Sequence, residues 1–441
     1  MKRTISILII IITFFVQLEA QKSLLQSGPM TGYSTMREVQ IWAQTNEEAE
    51  VQILYWEEDE PLNIYESDFV STFKVDAFTA HITIEDLEPG KKYNYELYIN
   101  DEKILLPYKL KFQTQELWQW RKDAPDFRFT AGSCFYVNED PYDRPGQAYG
   151  GGFQIFNSIT KNNPDFMLWL GDNVYLREVD WDSRSGILNR YTHTRSYDGI
   201  QQLLGTSHNY AAWDDHDYGT DNSDRSFWNK DLTYEAFKLF WANPTYGMNN
   251  SEGINTFFKW SDCDFFLTDG RYFRSPEFRK NVKREMLGNE QVEWLIDALV
   301  KSDAPFKFVI IGTAVLSPIP FKESYETYKE EKEKLLKAIE AEGIKGVVFL
   351  SGDRHYTELT KLPRENSYPL YEFTISPLTS GVVTKGNGGN SFMVEGTHVQ
   401  DRNYALFEVT GPAKNRNLKC RIIDKDGKEI WTYSINENEL K

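Results

Sequence analysis

The sequence predicts a layered α/β domain preceded by a small all-β sandwich. The chain has 441 residues, of which 40% are hydrophobic and 15% aromatic, and this is enough for two or three domains with buried cores. Between residues 39 and 113, apolar and polar side chains alternate with the period of two that is typical of β-strands. After residue 126, apolar runs of strand length are separated by stretches with helical periodicity, which favours a layered α/β domain.

The amino-terminal segment, residues 1–20, predicts an export signal. Lys2 and Arg3 precede a 12-residue apolar run that ends at Val16, and the small residue Ala20 follows. This is the order of a cleaved secretory signal, and the run is too short for a bilayer-spanning helix of about 20 residues. We therefore expect cleavage near Ala20, an exported mature chain that is periplasmic or secreted, and no transmembrane segment.

Residues 22–115 form the predicted sandwich. Turn signals such as PGKK and INDEK separate five strand-like runs, which are VQIWAQT, VQILYWEE, AHITIEDL, KYNYELYIN and YKLKFQT. This part of the sequence concentrates no His, Cys or paired carboxylates, so we assign no catalytic chemistry to it.

Residues 126–441 form the predicted α/β domain. The strand-like runs that begin it are DFRFTAG, DFMLWLG, NYAAWDD, DFFLTDG, FKFVIIG and GVVFLSG. Helical periodicity predicts helices at 152–162, 231–242, 289–301 and 324–342. Three closing strands are predicted after them, in YALFEVT, LKCRIID and EIWTYSI.

The charge balance limits the partners of the protein. Lys and Arg total 49 and Asp and Glu total 66, so the formal net charge is -17. A surface this acidic repels a nucleic-acid backbone, and specific nucleic-acid binding is not expected. Any phosphate ligand would need locally concentrated positive charge, which bound metal ions supply more compactly than Lys or Arg side chains.

The cysteines are few and odd in number. Cys134, Cys263 and Cys420 cannot form a disulfide framework that holds the fold together. An unpaired thiol in an exported chain needs a protected role, and metal ligation is one such role. Taken alone, Cys134 is more typical of a small buried core residue, so its interpretation depends on its neighbours.

Four polar clusters directly follow apolar strand-like runs. They are Gly132-Ser133-Cys134, Gly171-Asp172-Asn173-Val174-Tyr175, Trp213-Asp214-Asp215-His216-Asp217 and Gly352-Asp353-Arg354-His355-Tyr356. In open α/β sheets, ligands bind at the carboxyl ends of the strands. Thiolate, phenolate and imidazole suit a transition metal, whereas a set of carboxylates suits Ca²⁺, Mg²⁺ or Mn²⁺. The clusters therefore predict a dinuclear metal site.

The acidic run 214–224 has two simpler interpretations, a solvated acidic loop and an isolated calcium loop. It lacks the Gly and the terminal Glu of the EF-hand spacing. Three clustered acids beside His216 repel one another unless a cation is bound, which favours the metal site. We expect Asp214 to support the metal ligands from behind, and Asn222 to support them or to act as a further ligand.

The motifs Gly-Asp-x-x-Tyr at 171–175, Trp-Asp-Asp-His at 213–216 and Gly-Asp-x-His at 352–355, in this order, resemble the PhoD family of alkaline phosphatases. This family belongs to the calcineurin-like metallophosphoesterases, so the resemblance implies a metallophosphoesterase-type α/β domain. Three further segments are similar to family signatures: SGPMTGYSTMREVQIWAQT, FFLTDGRYFR and MLGNEQVEWL. In the second segment, Asp269, Arg271 and Arg274 fit the family signature, and a buried Asp/Arg pair that braces the sheet is favoured over a catalytic role.

The resemblance implies a role for each matching residue. The implied ligands of Fe³⁺ are Cys134, Asp172, Tyr175 and His355, and those of a second site for Ca²⁺ or another divalent metal are the bridging Asp172 together with Asp215 and Asp353. His216 matches a histidine that touches the phosphoryl group, so Asp172 and His216 are the implied catalytic residues. Asn173 and Arg354 stand beside ligands and are candidate substrate contacts.

The implied function is that of an exported alkaline phosphatase or phosphodiesterase, which hydrolyses small phosphate esters with metal-activated hydroxide. Two cations bridged by Asp172 would lower the pKa of bound water and clamp the phosphoryl oxygens for in-line attack. Thiolate and phenolate on one ion should stabilise its trivalent state and give a visible charge-transfer band. A protonated His216 would donate to the leaving oxygen.

Three other functions stay open at this point. A phospholipase or sphingomyelinase-like phosphodiesterase would use the same site on lipid head groups. A non-haem iron oxygenase would use a soft iron site but does not need the oxygen ligands Asp215 and Asp353. An exported carbohydrate-binding protein would explain the sandwich and the many aromatic residues, but it leaves the four clusters unexplained.

Overall fold

The structure is a computed structural model that describes residues 23–441 except 141, 249–250, 322 and 385–388. The predicted export signal, residues 1–20, lies outside the described residues. Within the described residues, no helix is long and apolar enough to span a membrane.

The strands of the described chain are numbered in order. They are β1 (Leu25–Ser34), β2 (Val39–Thr45), β3 (Glu50–Glu57), β4 (Tyr65–Glu66), β5 (Val70–Ser71), β6 (Thr79–Ile84), β7 (Lys92–Ile99), β8 (Glu102–Lys103), β9 (Leu110–Gln113), β10 (Phe127–Gly132), β11 (Phe166–Leu170), β12 (His208–Ala212), β13 (Thr256–Trp260), β14 (Cys263–Leu267), β15 (Lys307–Ile310), β16 (Val347–Ser351), β17 (Glu358–Leu362), β18 (Leu370–Thr374), β19 (Asn403–Thr410), β20 (Asn417–Asp424) and β21 (Glu429–Asn436).

The helices flank these strands. They are α1 (Ile155–Lys161), α2 (Arg184–Arg195), α3 (Asp198–Thr206), α4 (Asp215–Tyr218), α5 (Lys230–Phe240), α6 (Asn289–Lys301) and α7 (Lys329–Ala341), with short 3₁₀ turns at Lys74–Asp76, Tyr325–Tyr328 and Glu437–Leu440.

The larger sheet of the α/β domain has nine strands in the order β21-β20-β19-β10-β11-β12-β1-β2-β6. At its centre β10, β11 and β12 are parallel neighbours. Every residue of β11 and β12 is buried, which explains why these strands are continuous apolar runs without alternation. Because the three strands point the same way, the loops that follow them leave from one edge of the sheet.

A second sheet, with the order β13-β14-β15-β16-β18-β17, packs against the first. Aromatic side chains join the two sheets. Phe129 of β10 stacks on Phe166 of β11 with ring centroids 4.8 Å apart, and it meets Phe265 of β14 and Phe308 of β15 edge-on at 5.4 Å. Such contacts between aromatic rings stabilise the core beyond the area they bury. The core therefore lies between the two sheets.

The amino-terminal region is a sandwich that shares the larger sheet. Strands β1, β2 and β6 form one of its layers, and β3 to β5 with β7 to β9 form the other. Apolar side chains such as Ile41, Ile53, Ile82 and Leu97 are fully buried between the layers. Strand β1 pairs in parallel with β12 at Thr31 and His208, so the hydrogen bonding of the sheet continues from the sandwich into the α/β domain.

The predicted fold class is confirmed: a layered α/β domain follows a β-rich amino-terminal region with sandwich-like sheets. The helix predicted at 289–301 begins and ends at those residues, and the other three predicted helices differ by a few residues at their ends. Helices α2 and α3 and the four-residue helix α4 were not predicted. The first begins after Ser183, whose hydroxyl accepts a hydrogen bond from the backbone N–H of Gly186, but its polar side chains give a weak periodicity. Cys134, Cys263 and Cys420 are buried and free.

Candidate dinuclear metal site

The four polar clusters of the sequence meet at one edge of the paired sheets. Cys134 follows β10, Asp172 follows β11, Asp215 follows β12, and Asp353 and His355 follow β16. The first two loops are joined through the backbone, because the N–H of Cys134 donates to the carbonyl of Gly171 at 3.2 Å and that of Phe135 donates to the carbonyl of Asp172 at 2.8 Å. The sheets thus bring together side chains that lie more than two hundred residues apart in the chain.

The backbone at this edge is strained. Four of the predicted ligands have left-handed φ values, namely Cys134 (61°), Asp172 (52°), Asp353 (67°) and His355 (55°). Non-glycine residues rarely adopt this conformation, and it persists where the surroundings hold it. Two glycines allow the loops to approach closely: a Cβ on Gly171 would lie 2.9 Å from Cβ of Asp214, and a Cβ on Gly312 would lie 2.7 Å from its Cγ.

The soft group consists of Cys134, Asp172, Tyr175 and His355. Ligand atoms of Cys134, Asp172 and His355 all lie within 4.8 Å of one another. Tyr175 joins them, since its Oη is 3.3 Å from Oδ2 of Asp172 and 3.4 Å from Nε2 of His355. The sulfur of Cys134 is 3.5 Å from Oδ2 of Asp172. The structure therefore brings these four side chains together, and metal binding by them stays a prediction.

Neighbouring groups orient the soft ligands. Nδ1 of His355 is 2.6 Å from the carbonyl oxygen of Gly381, which fixes the proton on that nitrogen and leaves Nε2 for a metal. The hydroxyls of Ser133 and Ser376 donate to the sulfur of Cys134 at 3.4 and 3.1 Å. These donors match a sulfur that carries negative charge.

The hard group consists of Asp172, Asp214, Asp215 and Asp353, whose carboxylate oxygens lie within 4.8 Å of one another. Burial, together with the charges of Asp215 and Cys134, raises the pKa of Asp172 well above its usual value. Within the described residues, Oδ2 of Asp214 and Oδ1 of Asp215 are buried without a hydrogen-bond partner. Unpaired buried carboxylate oxygens are costly, and a cation bound among them removes that cost.

These residues fit two cations of different character. The first group offers sulfur, phenol, imidazole and carboxylate, and the second offers only oxygen. Asp172 belongs to both groups, as the bridging role predicted for it requires.

The structure places two further residues, Arg271 and Glu323, beside the hard group. Nε of Arg271 donates to Oδ1 of Asp214 at 2.6 Å, and Nη2 lies 3.4 Å from Oε1 of Glu323 and 3.8 Å from Oδ1 of Asp215. Burial and the charges of Asp215 and Asp353 raise the pKa of Glu323 well above its usual value. The side chain of Arg271 thus pairs with Asp214, and only its backbone N–H reaches the Asp269 carboxylate. No motif marks Glu323 in the sequence.

Asp217 ties two of the loops together. Its Oδ1 accepts the backbone N–H groups of Asn173 and Val174 at 2.9 and 3.1 Å, and its Oδ2 accepts that of Asp214 at 3.0 Å. The side chain of Asn173 is 2% exposed; its Nδ2 donates to the carbonyl of Ala212, and its Oδ1 has no hydrogen-bond partner among the described residues. A substrate contact by Asn173 stays a prediction.

His216 contacts two of the predicted ligands, whereas Arg354 packs on an aromatic ring. The backbone N–H of His216 donates to Oδ1 of Asp172 at 3.2 Å, and its ring lies 4.3 Å from the ring of Tyr175. Burial lowers the pKa of His216. The guanidinium of Arg354 lies over the ring of Phe321 at 3.3 Å.

Asn222 supports the hard group through its backbone, which donates to Oδ2 of Asp215 at 2.6 Å. Its own side chain donates to Asp221. The geometry thus shows contact with a predicted ligand, whereas metal binding by Asn222 stays a prediction.

Comparison with known proteins decides the family. The model of the PhoD-like phosphatase family matches residues 133–428, which is more than half of the chain. The chain belongs to the PhoD-like phosphatase family. A second family model, described as a domain of unknown function (DUF7800), matches residues 22–117.

Among curated relatives of this PhoD-like chain, alkaline phosphatase D of Bacillus subtilis (strain 168) is 24% identical over 388 residues, which cover 74% of this chain. The chain spans 62% of that relative's length.

Two solved structures share the fold of this PhoD-like chain. A structure of PhoD is similar with a TM-score of 0.77 and 16% identity, over 95% of this chain and 92% of the other. A purple acid phosphatase from seeds of yellow lupin (Lupinus luteus) is similar with a TM-score of 0.69 and 12% identity, over 94% of this chain and 75% of the other. Both likenesses show that this chain shares its fold with these two phosphatases.

Proposed function

We propose that the protein is an exported phosphoesterase that hydrolyses small phosphate esters at a site for two metals, with Fe³⁺ in the soft group and Ca²⁺ in the hard group. The observation that carries this proposal is the sharing of Asp172 between a sulfur-containing ligand group and a group of carboxylates. Membership of the PhoD-like family supports phosphoester hydrolysis as the reaction. A non-haem iron oxygenase does not need the second ligand group, which offers only carboxylate oxygens. The arrangement therefore favours phosphoryl chemistry.

Cations bound at the two groups activate water and neutralise charge on the phosphoryl oxygens. The residues of the chain determine where the two cations would lie. Asp172 turns Oδ2 toward Cys134 and Tyr175, while its Oδ1 is held by the backbone N–H of His216. The two oxygens of one side chain thereby fix the distance between the two ligand groups.

His216 is placed to donate a hydrogen bond to the phosphoryl group or to the leaving oxygen. Its ring packs on Tyr175, and its Nδ1 is buried without a hydrogen-bond partner in the described part of the chain. Because burial lowers its pKa, the imidazole is neutral in alkaline solution and carries one N–H. Replacing it with alanine should lower kcat by about 10²- to 10⁴-fold while the metal content stays unchanged.

The proposed function is tested with an aryl phosphate monoester and the matching diester. The mature chain is purified without chelator and assayed with added Ca²⁺, with added chelator, and as the variant Asp353→Asn. We expect hydrolysis that requires Ca²⁺ and is lost in the variant, and the ratio of the two rates gives the preference between monoester and diester. Hydrolysis that survives both chelation and the substitution would contradict the proposal.

A further inference from the structure

Arg177 is a buried cation beside the candidate metal site. The residue is 5% exposed, and its Nε donates to Oη of Tyr136 at 3.3 Å. The guanidinium carbon lies 4.7 Å from the ring centroid of Tyr136, 5.5 Å from that of Tyr175 and 5.9 Å from that of Tyr149. Three phenol rings therefore surround the charge and hold it in place.

Among the residues that the structure describes, no carboxylate neutralises the charge of Arg177. In the described part of the chain, no carboxylate forms an ion pair with it within 4.0 Å, and its two terminal nitrogens have no hydrogen-bond partner. Three other buried arginines contrast with it: Arg190, Arg271 and Arg416 each lie within 4.0 Å of at least two carboxylates. Arg195 also lacks a carboxylate, but its guanidinium lies against the indoles of Trp42 and Trp241.

The position of Arg177 suggests what neutralises it. Its guanidinium and the ring of His216 both pack on the ring of Tyr175, a predicted metal ligand, at 5.5 and 4.3 Å. A buried charge without a partner is costly. Among the described residues, none of the carboxylates at this edge of the sheets forms an ion pair with Arg177, so an anion that neutralises it would come from outside the chain.

We propose that Arg177 binds a phosphate oxygen of the substrate through its two terminal nitrogens, at the edge of the metal site next to Tyr175. This inference rests on the proposed function for the identity of the anion. A guanidinium presents two parallel N–H groups that match two oxygens of one phosphate. The phosphate is either the group that is cleaved or a second phosphate carried by the same substrate, and the experiment separates the two sources.

The test measures binding of inorganic phosphate to the metal-loaded protein by calorimetry. It compares the wild type with Arg177→Gln, Arg177→Lys and a control, Arg144→Gln. Arg144 is a matched control because it lies nearby in the fold but is exposed and already paired with Glu178 at 3.0 Å. The same proteins are assayed for KM and kcat on an aryl phosphate and on an ester that carries a second phosphate, and their metal content is determined.

We expect Arg177→Gln to weaken inorganic phosphate binding by about 10- to 100-fold, as for the loss of a charged hydrogen-bond pair. Arg177→Lys should recover part of the affinity, Arg144→Gln should match the wild type, and the metal content should not change. If only KM for the ester with two phosphates rises, Arg177 binds the second phosphate. Because phosphate binding is measured without turnover, a protein that binds phosphate but cleaves neither ester contradicts the proposed function and not this inference.

Two results would overturn the inference. Unchanged phosphate affinity together with unchanged KM for both esters in Arg177→Gln shows that the guanidinium meets no anion of the substrate. Loss of metal in both Arg177 variants shows that the residue acts by holding Tyr175 in place.

Discussion

Among single residues, Cys134 determines the character of the first ligand group. Its thiol is buried, and burial raises the pKa of the thiol to about 12, so without a cation the sulfur stays protonated. Two serine hydroxyls, from Ser133 and Ser376, nevertheless donate to it. A bound cation favours the thiolate, and the thiolate would accept both hydrogen bonds. Cys134 therefore has the surroundings of a metal ligand, in addition to the burial of an ordinary core cysteine.

The variant Cys134→Ala tests this role. We expect the iron content to fall at least about tenfold and the visible absorption to disappear, because the thiolate is lost from the first group while the carboxylates of the second remain. Cys263→Ala is the control, since Cys263 is equally buried and free but lies in β14. Metal analysis and a visible spectrum check both variants. Iron and colour that persist in Cys134→Ala would show that the sulfur is not a ligand.

Glu323 lies beside the hard group, and the sequence did not predict it there. It contacts Arg271 and shares its surroundings with Asp215 and Asp353. We expect Glu323→Gln to weaken calcium binding about tenfold, because one negative charge leaves a group of oxygen ligands. Calcium titration by calorimetry measures the effect. The control Glu330→Gln, on the exposed face of α7, should bind calcium as the wild type does. Equal affinities in all three proteins would show that Glu323 does not contribute to calcium binding.

At the scale of elements, strand β17 carries a buried carboxylic acid. Glu358 is 3% exposed. Its Oε1 accepts from Nδ2 of Asn390 at 2.8 Å, and Oε2 has no hydrogen-bond partner in the described residues. Burial raises the pKa of Glu358 from 4.5 to about 7, against the opposite effect of Asn390. The folded state therefore binds this proton more tightly than the unfolded state does.

This shift predicts a pH dependence of stability. Since the folded pKa lies above the unfolded one, the stabilisation is complete below pH 4.5 and is lost as the pH rises through about 7, with an upper limit of about 3 kcal/mol. Glu358→Gln stays neutral, so it should unfold at the same denaturant concentration as the wild type at pH 4.5 and at a higher one at pH 8.5. The control Glu365→Gln, which is exposed, should follow the wild type at both pH values. A difference of equal size at both pH values would contradict the assignment.

Much of the site could be predicted at this scale because strand and ligand are adjacent in the sequence. An apolar run followed at once by Gly-Asp or by Asp-Asp-His predicts both a buried strand and the loop at its end, and β11, β12 and β16 show this order. Glu323 and the contact between Arg271 and Asp214 could not be predicted, since they depend on how a loop without a motif folds back onto the site. Nor does the polar segment that forms α2 show a clear helical stripe, whereas α3 was missed although Ile200, Leu203 and Leu204 recur at helical spacing.

At the scale of the whole molecule, the continuous larger sheet joins the two predicted domains. Strands β12 and β1 are neighbours although about 180 residues separate Thr31 from His208. Oη of Tyr210 in β12 accepts the backbone N–H of Ser34 at 3.0 Å. No local pattern encodes the pairing of strands so far apart, so the sequence predicted a sandwich before the α/β domain without predicting the shared sheet.

Removal of the amino-terminal region tests this connection. A chain that begins at residue 121 exposes the edge of β12, and we expect it to aggregate or to elute as large oligomers in size-exclusion chromatography, because an unpaired hydrophobic strand pairs with other chains. Co-expression of residues 23–120 as a separate chain should restore a soluble complex. A soluble, monomeric fragment with unchanged thermal stability would show that the two parts are energetically independent.

The most direct test of the account is the metal content of the mature chain and of Asp172→Asn. Asp172 belongs to every ligand group found among the described residues, so the wild type should hold iron and calcium together and the variant should lose both, whereas Cys134→Ala loses only iron. Asp303→Asn, an exposed site outside the ligand groups, should keep both metals. Retention of both metals in Asp172→Asn, or a wild type that holds neither after purification with iron and calcium present, would contradict the shared-ligand site on which the proposed function depends.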